Sequence, residues 1–217
     1  MKNILIIGAN GRIAQLVEKQ LLLNLSDIHL TLFLRNSQRL NNLVNNPQIT
    51  LVEGDANDYQ QISSAMEGQN IVYIAMVDRS TENRISQNVI RAMKANNVPR
   101  VIATNILGLY NELPAEFSQN VMSELENWYG LDLARQEDQL FEKSSLDYTT
   151  LRLPYLNDHQ NNNYQITRQH DAWLGTSGSR ESVASVITAI IEDPKLYERE
   201  SIGISDPATN GMSRPVY

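Results

Sequence analysis

Residues 1–14 read MKNILIIGANGRIA, and the reading of this stretch decides the fold. Asn3–Ile7 is a short apolar, β-branched run that ends at Gly8, and the segment Arg12–Leu23 after Gly11 carries Leu16, Val17, Gln20 and Leu21 at helical spacing. A tight turn at the end of a strand suits Gly8, because glycine has no Cβ to restrict it. Close approach of an anion to backbone N–H groups suits Gly11, and the small Ala14 lets the helix pack near the strand. The helix start adds unpaired N–H groups and the positive end of its dipole. Gly8, Ala9, Asn10, Gly11, Arg12 and Ile13 therefore form a candidate diphosphate cradle at the head of a dinucleotide-binding domain. An ordinary strand-to-helix turn would use the same residues; what favours the cradle is the alternating chain that follows it.

Outward from that turn, apolar runs alternate with segments of helical period. Strands are expected at Asn3–Ile7, His29–Leu34, Ile49–Val52, Ile71–Ala75, Arg100–Thr104, Tyr148–Arg152 and Ser201–Ile204. Helices are expected near Arg12–Leu23, Tyr59–Met66, Thr81–Asn96, Ser118–Ser144 and Arg180–Glu192. This is the pattern of an α/β, doubly wound parallel sheet in three layers, a Rossmann fold, with residues 1–217 as a single domain. Two stretches break the rhythm, Ile106–Phe117 and the polar Asn157–Gly178. Both follow strand ends, so the segments 105–128 and 155–178 are expected to wall a substrate cleft, the latter in a small C-terminal lobe. His159, Arg168, His170 and Trp173 lie in that second wall. The tail Asp206–Tyr217 is expected at the surface without a function.

Composition narrows the function. The chain has 217 residues, 41% hydrophobic and 20% charged, which is ordinary for a globular domain. It has no eighteen-residue apolar run to span a membrane and no cleavage site after the first strand, so a cytoplasmic location is expected. With no cysteine and only scattered histidines, no metal site is expected. A net charge of -7 without a basic cluster argues against nucleic acid and leaves a small-molecule substrate or electron acceptor as partner. Ser118–Ser144 is long enough to form a homodimer contact.

The second strand ends at Arg35, where an acidic residue would accept from a ribose 2′-hydroxyl. A guanidinium there, with Arg12 nearby, instead suits a 2′-phosphate, so NADP(H) is expected over NAD(H). Solvated surface arginines would look the same. Asp55 is placed to reach the adenine amine, and Asp58 to cap the next helix. Ala75 and Met76 stand where the adenosine would be bordered. Tyr110, after the fifth strand, is a candidate proton donor.

The chain resembles the atypical short-chain dehydrogenases/reductases, specifically their NmrA-like or NAD(P)H-binding group. The resemblance rests on GANGRIA (8–14), EGDAND (53–58), SSLDYTTLRLPYL (144–156) and SRESVASVITAIIEDP (179–194), in that order. It implies strand order 3-2-1-4-5-6-7 and a cofactor site of Gly8, Gly11, Arg12, Arg35 and Asp55, with Pro154 bordering the nicotinamide. It also places the superfamily's serine or threonine position at Thr104. One departure bears on the chemistry: standard members use a Tyr-x-x-x-Lys pair, and here Tyr129 is followed at that spacing by Leu133 and Tyr148 by Arg152. Two functions remain: NADPH-dependent reduction of a flavin-, quinone- or tetrapyrrole-like acceptor that needs no such pair, or a non-catalytic NADP(H)-sensing regulatory protein.

Overall fold

The computed structural model describes residues 1–127 and 130–217. Its elements run β1 (Lys2–Ile7), α1 (Arg12–Asn24), β2 (Ile28–Leu34), β3 (Ile49–Glu53), α2 (Tyr59–Ala65), β4 (Ile71–Ile74), α3 (Arg84–Ala95) and β5 (Arg100–Ile106). They continue with α4 (Ala115–Asn127), α5 (Leu131–Glu142), β6 (Asp147–Leu153), β7 (Tyr155–Asn157), β8 (Gln165–Thr167), β9 (Ser177–Ser179), α6 (Arg180–Glu192) and β10 (Glu200–Ser205). The main sheet has the order β3-β2-β1-β4-β5-β6-β10-β8, and β7 pairs with β9 in a separate ribbon. All main-sheet pairings are parallel except β10 with β8. The three-layer Rossmann architecture is as the sequence pattern implies, with β10 in the seventh place.

Period two along the strands divides the core. Ile4, Ile6 and Tyr73 face α1 and α6, packing with Val17, Leu21, Val183 and Ile187. Leu5, Ile7 and Val72 face the other way, onto Ile62 of α2, Val89 of α3 and Phe141 of α5. A third cluster joins Phe117, Val121 and Leu125 of α4 to Tyr155 and Trp173.

Three expectations need correction. The single helix over Ser118–Ser144 is two, α4 and α5, the second starting after Gly130 in a left-handed conformation (φ 67°). Trp128 and Tyr129, and with them the Tyr129 spacing considered above, lie outside the described residues. The helix expected from Thr81 begins at Arg84, because Glu82 and Asn83 adopt positive φ in a tight 3-10 turn. The polar stretch Asn157–Gly178 contains β8 and part of the β7–β9 ribbon, since its backbone groups find partners in β10 and in β7.

Helix α1 buries Ala14, Val17, Glu18 and Leu21. Glu18 is 2% exposed, and its Oε1 has no hydrogen-bond partner among the described residues. Burial pushes its carboxyl from the ordinary 4.5 up to about 8. Between those values the unfolded chain ionises Glu18 while the folded chain keeps the proton, so rising pH drains stability. The slope is about 1.4 kcal/mol per pH unit from this group. Urea unfolding of wild type and Glu18→Gln from about pH 5 to about pH 8 checks this: the variant is expected to gain on wild type at each step. A difference that does not change with pH would contradict it.

Candidate cofactor and substrate site

Strand β1 ends level with β4, where Gly8 turns the chain with φ +84°, and a Cβ there would meet Met76 Sδ at 3.3 Å. The Gly8 N–H donates to the Phe33 carbonyl at 2.9 Å, and the Gly11 N–H closes the turn onto the Gly8 carbonyl at 3.0 Å. Helix α1 then starts with no side-chain cap on Gly11 and no acidic residue in its first turn. A Cβ on Gly11 would sit 3.3 Å from the Gly8 carbonyl and 3.6 Å from that of Ala75. The result is a close-packed turn beneath an open helix terminus, which fits a diphosphate.

A cavity of about 620 Å³ runs from this turn across the carboxyl ends of β1 to β4. Gly8, Asn10 and Gly11 form one side of it; Arg35 and Arg39 enter from beyond β2, Asp55 and Asn57 from beyond β3, and Met76 and Arg79 from beyond β4. Asp55 accepts from the Asn57 N–H and Nδ2, each at 2.9 Å, and these bonds hold its carboxyl below the ordinary range. Asp58 caps α2 by accepting from the Gln60 and Gln61 N–H groups at 2.8 and 3.3 Å.

A second cavity, of about 430 Å³, adjoins the first through Met76, Val77 and Arg79. Ile13, Ala75, Thr104 and Pro154 line it, as do Asn105–Leu107 from one expected cleft segment and Tyr155 and Leu156 from the other. The Thr104 hydroxyl donates to the fully buried Tyr73 hydroxyl at 3.4 Å. The tail, expected to be idle, lies here too. The Val216 N–H donates to Ser177 Oγ at 2.7 Å, and the Tyr217 ring lines the cavity.

Several other residues are elsewhere. Arg12 lines neither cavity; its guanidinium pairs with Asp158, which also takes Arg180 at 2.9 Å. Ala9 is fully buried and serves packing. Tyr110 lines neither cavity either, because its hydroxyl donates to the buried carboxylate of Asp138. Burial, and then the Asp138 charge, push that phenol above its usual range, the opposite of activation. Trp173 is 1% exposed and donates through Nε1 to the Gly175 carbonyl at 2.7 Å, so it is core rather than cleft. Arg168 and His170 border a shallow recess beside Glu200, away from Thr104. His159 donates through its backbone to Asn157 Oδ1 at 3.2 Å and lines neither cavity. The Tyr148 ring is covered by Arg199, and Arg152 is paired with Glu112 at 2.8 Å. Arg39, Arg79, Arg180 and Tyr217 are lining residues that the sequence reading passed over. Only Arg39 had a visible signal, four residues after Arg35 in a turn.

The model of the family described as NAD(P)H-binding matches residues 8–194. A short-chain dehydrogenase/reductase from Veillonella parvula, solved in complex with NADP, is 26% identical with a TM-score of 0.91, over 100% of this chain and 99% of that one. A Rossmann-fold NAD(P)-binding family protein from Shigella flexneri is 33% identical with a TM-score of 0.79, again over 100% and 99%. ChuY, an anaerobillin reductase from Escherichia coli, shares the fold at 17% identity and a TM-score of 0.82, over 99% and 100%. No curated protein matches. The matched span begins at the glycine that turns the chain into the first cavity and ends just past α6, whose Arg180 lines the second, and so the chain belongs to the NAD(P)H-binding family of Rossmann-fold oxidoreductases, related to the short-chain dehydrogenases/reductases.

Proposed function

We propose that this protein is an NADPH-dependent reductase that delivers hydride to a small conjugated acceptor, flavin-, quinone- or tetrapyrrole-like, without a Tyr-x-x-x-Lys pair. The observation that carries the reading is the lining of the first cavity: Arg35, Arg39 and Arg79 share it with Gly8 and Gly11, and it adjoins a largely apolar second cavity across Met76, Val77 and Arg79. In this reading the turn from Gly8 to Ile13 holds the diphosphate at the start of α1, while Arg35 and Arg39 take a 2′-phosphate. Asp55 faces the adenine amine, and Ala75 and Met76 border the adenosine. Pro154 and Thr104 border the nicotinamide, which when bound supplies the hydride. The apolar side chains of the second cavity exclude water and hold the acceptor against it, and that positioning is the main requirement of hydride transfer. The NADP complex of the Veillonella parvula relative supports the cofactor, and the reductase name of ChuY supports the reaction class.

Calorimetric titration tests the cofactor. NADPH is expected to bind more tightly than NADH, and Arg35→Ala and Arg39→Ala are each expected to cost roughly 10- to 150-fold in NADPH affinity, with little change for NADH. Equal affinities in wild type would remove the 2′-phosphate assignment. NADPH consumption with a panel of flavins, quinones and linear tetrapyrroles tests the reaction, and silence with all of them would end the reductase reading. Tyr110→Phe separates support from chemistry. It removes the Tyr110 hydrogen bond from the buried Asp138 and is expected to lower unfolding stability by about 1–3 kcal/mol while NADPH consumption persists.

A further inference from the structure

The second cavity has an electrostatic character opposite to that of the chain around it. The formal net charge is -7, yet the charged side chains lining this cavity are Arg79 and Arg180, and no Asp or Glu side chain among the described residues lines it. Arg79 is shared with the first cavity, whereas Arg180 belongs to the second alone. Arg180 opens α6, and its side chain is 19% exposed. Its Nη1 is bonded to Asp158 at 2.9 Å, and its Nε and Nη2 donate to no described residue. Asp158 is divided between Arg180 and Arg12 and is itself 58% exposed. One solvated carboxylate thus answers two guanidiniums, leaving open donors on Arg180 at the cavity wall.

Another part of that wall is aromatic. The Tyr155 ring stands edge-on between Phe117, at 6.4 Å between centroids, and Tyr217, at 6.2 Å. The Tyr155 hydroxyl donates to Glu124 at 2.7 Å, which fixes the ring's orientation. Asn157 Nδ2 donates to the Val216 carbonyl at 3.3 Å and helps hold Tyr217 in place. The buried Tyr155 ring, with the exposed Tyr217 ring beside it, offers an aromatic face to a flat conjugated ligand.

We propose that the second cavity takes a planar conjugated acceptor that carries an acid group, with the ring body against Tyr155 and Tyr217 and the carboxylate or phosphate bound by Arg180. Arg180 is then the specificity-determining residue, selecting acidic acceptors over neutral ones of the same shape. This assignment rests on the reductase reading above and narrows its acceptor class.

Riboflavin and FMN share one ring system and differ by a phosphate, so they serve as probes. Binding to the NADP⁺-saturated protein is read from quenching of flavin fluorescence, which needs no turnover. FMN is expected to bind at least about tenfold more tightly than riboflavin. That ratio is expected to collapse toward one in Arg180→Met and to survive in large part in Arg180→Lys, while Tyr217→Ala weakens both flavins together. Equal affinities in wild type, no binding of either flavin, or an unchanged ratio in Arg180→Met would overturn the proposal. If FMN binds in the Arg180-dependent way but NADPH is not consumed, the reductase reading fails and the acid site stands. If both flavins are reduced with equal affinity, the reductase stands and the role of Arg180 is lost.

Discussion

A backbone reversal at Gly8 ends β1 level with its neighbour β4, at the carboxyl edge of the sheet, and the site is arranged around that turn. The positive φ releases the chain, the Gly11 N–H ties it back to Gly8, and α1 starts within a few residues with its first N–H groups uncapped. Because β1 lies between β2 and β4, the same reversal sits where connections leave the sheet toward opposite faces. The loops after β2, β3 and β4 on one side and β5 and β6 on the other then spread around a crevice instead of closing over the strand ends.

What holds the outer wall of that crevice is an unusual population of buried charge. Arg152, fully buried, binds Glu112 at 2.8 Å and donates to the carbonyls of Thr167 and Ser201. It thereby fastens the loop after β5 to β8 and β10. Breaking such a pair from one side costs several times what the pair contributes, because a bare charge stays behind. Glu137 on α5 is likewise buried, accepting from Ser86 Oγ at 2.9 Å, and burial raises its carboxyl well above the ordinary range. Asp138 beside it is occupied by Tyr110. In standard short-chain dehydrogenases/reductases the helix after the fifth strand carries the reactive tyrosine and lysine. Here α5, the second of the two helices between β5 and β6, turns inward the carboxyls of Glu137 and Asp138, which bind α3 and the loop after β5.

The architecture was legible in the sequence because each signal it needs is local: alternation along β1 to β6, helical spacing in α1 and α6, glycines at one turn. The same holds for those site residues that the backbone alone delivers to strand ends, such as Arg35, Asp55, Thr104 and Pro154, which all line the two cavities. Where a side chain goes after leaving the backbone was not legible. Arg12 starts beside the cradle yet is drawn away by Asp158, a partner 146 residues distant. The stretch after β7 looked irregular because β8 exists only through its pairing with β10, and the tail looked idle because its anchors, Ser177 and Asn157, come from other segments. Gly130, left-handed just ahead of α5, went unread within the long helical run.

The central place of β1 also has a consequence for how the molecule is made. β1 leaves the ribosome before both of its neighbours, β2 on one edge and β4 on the other, the latter in register Ile4 to Ile71 through Ile7 to Ile74. Until residues 71–74 have been synthesised, one hydrogen-bonding edge of an almost wholly apolar strand has no partner, and parallel pairing across such separations forms slowly. The nascent chain must therefore keep β1 shielded through the β2 and β3 stage, a window in which edge-to-edge association with other chains competes with folding.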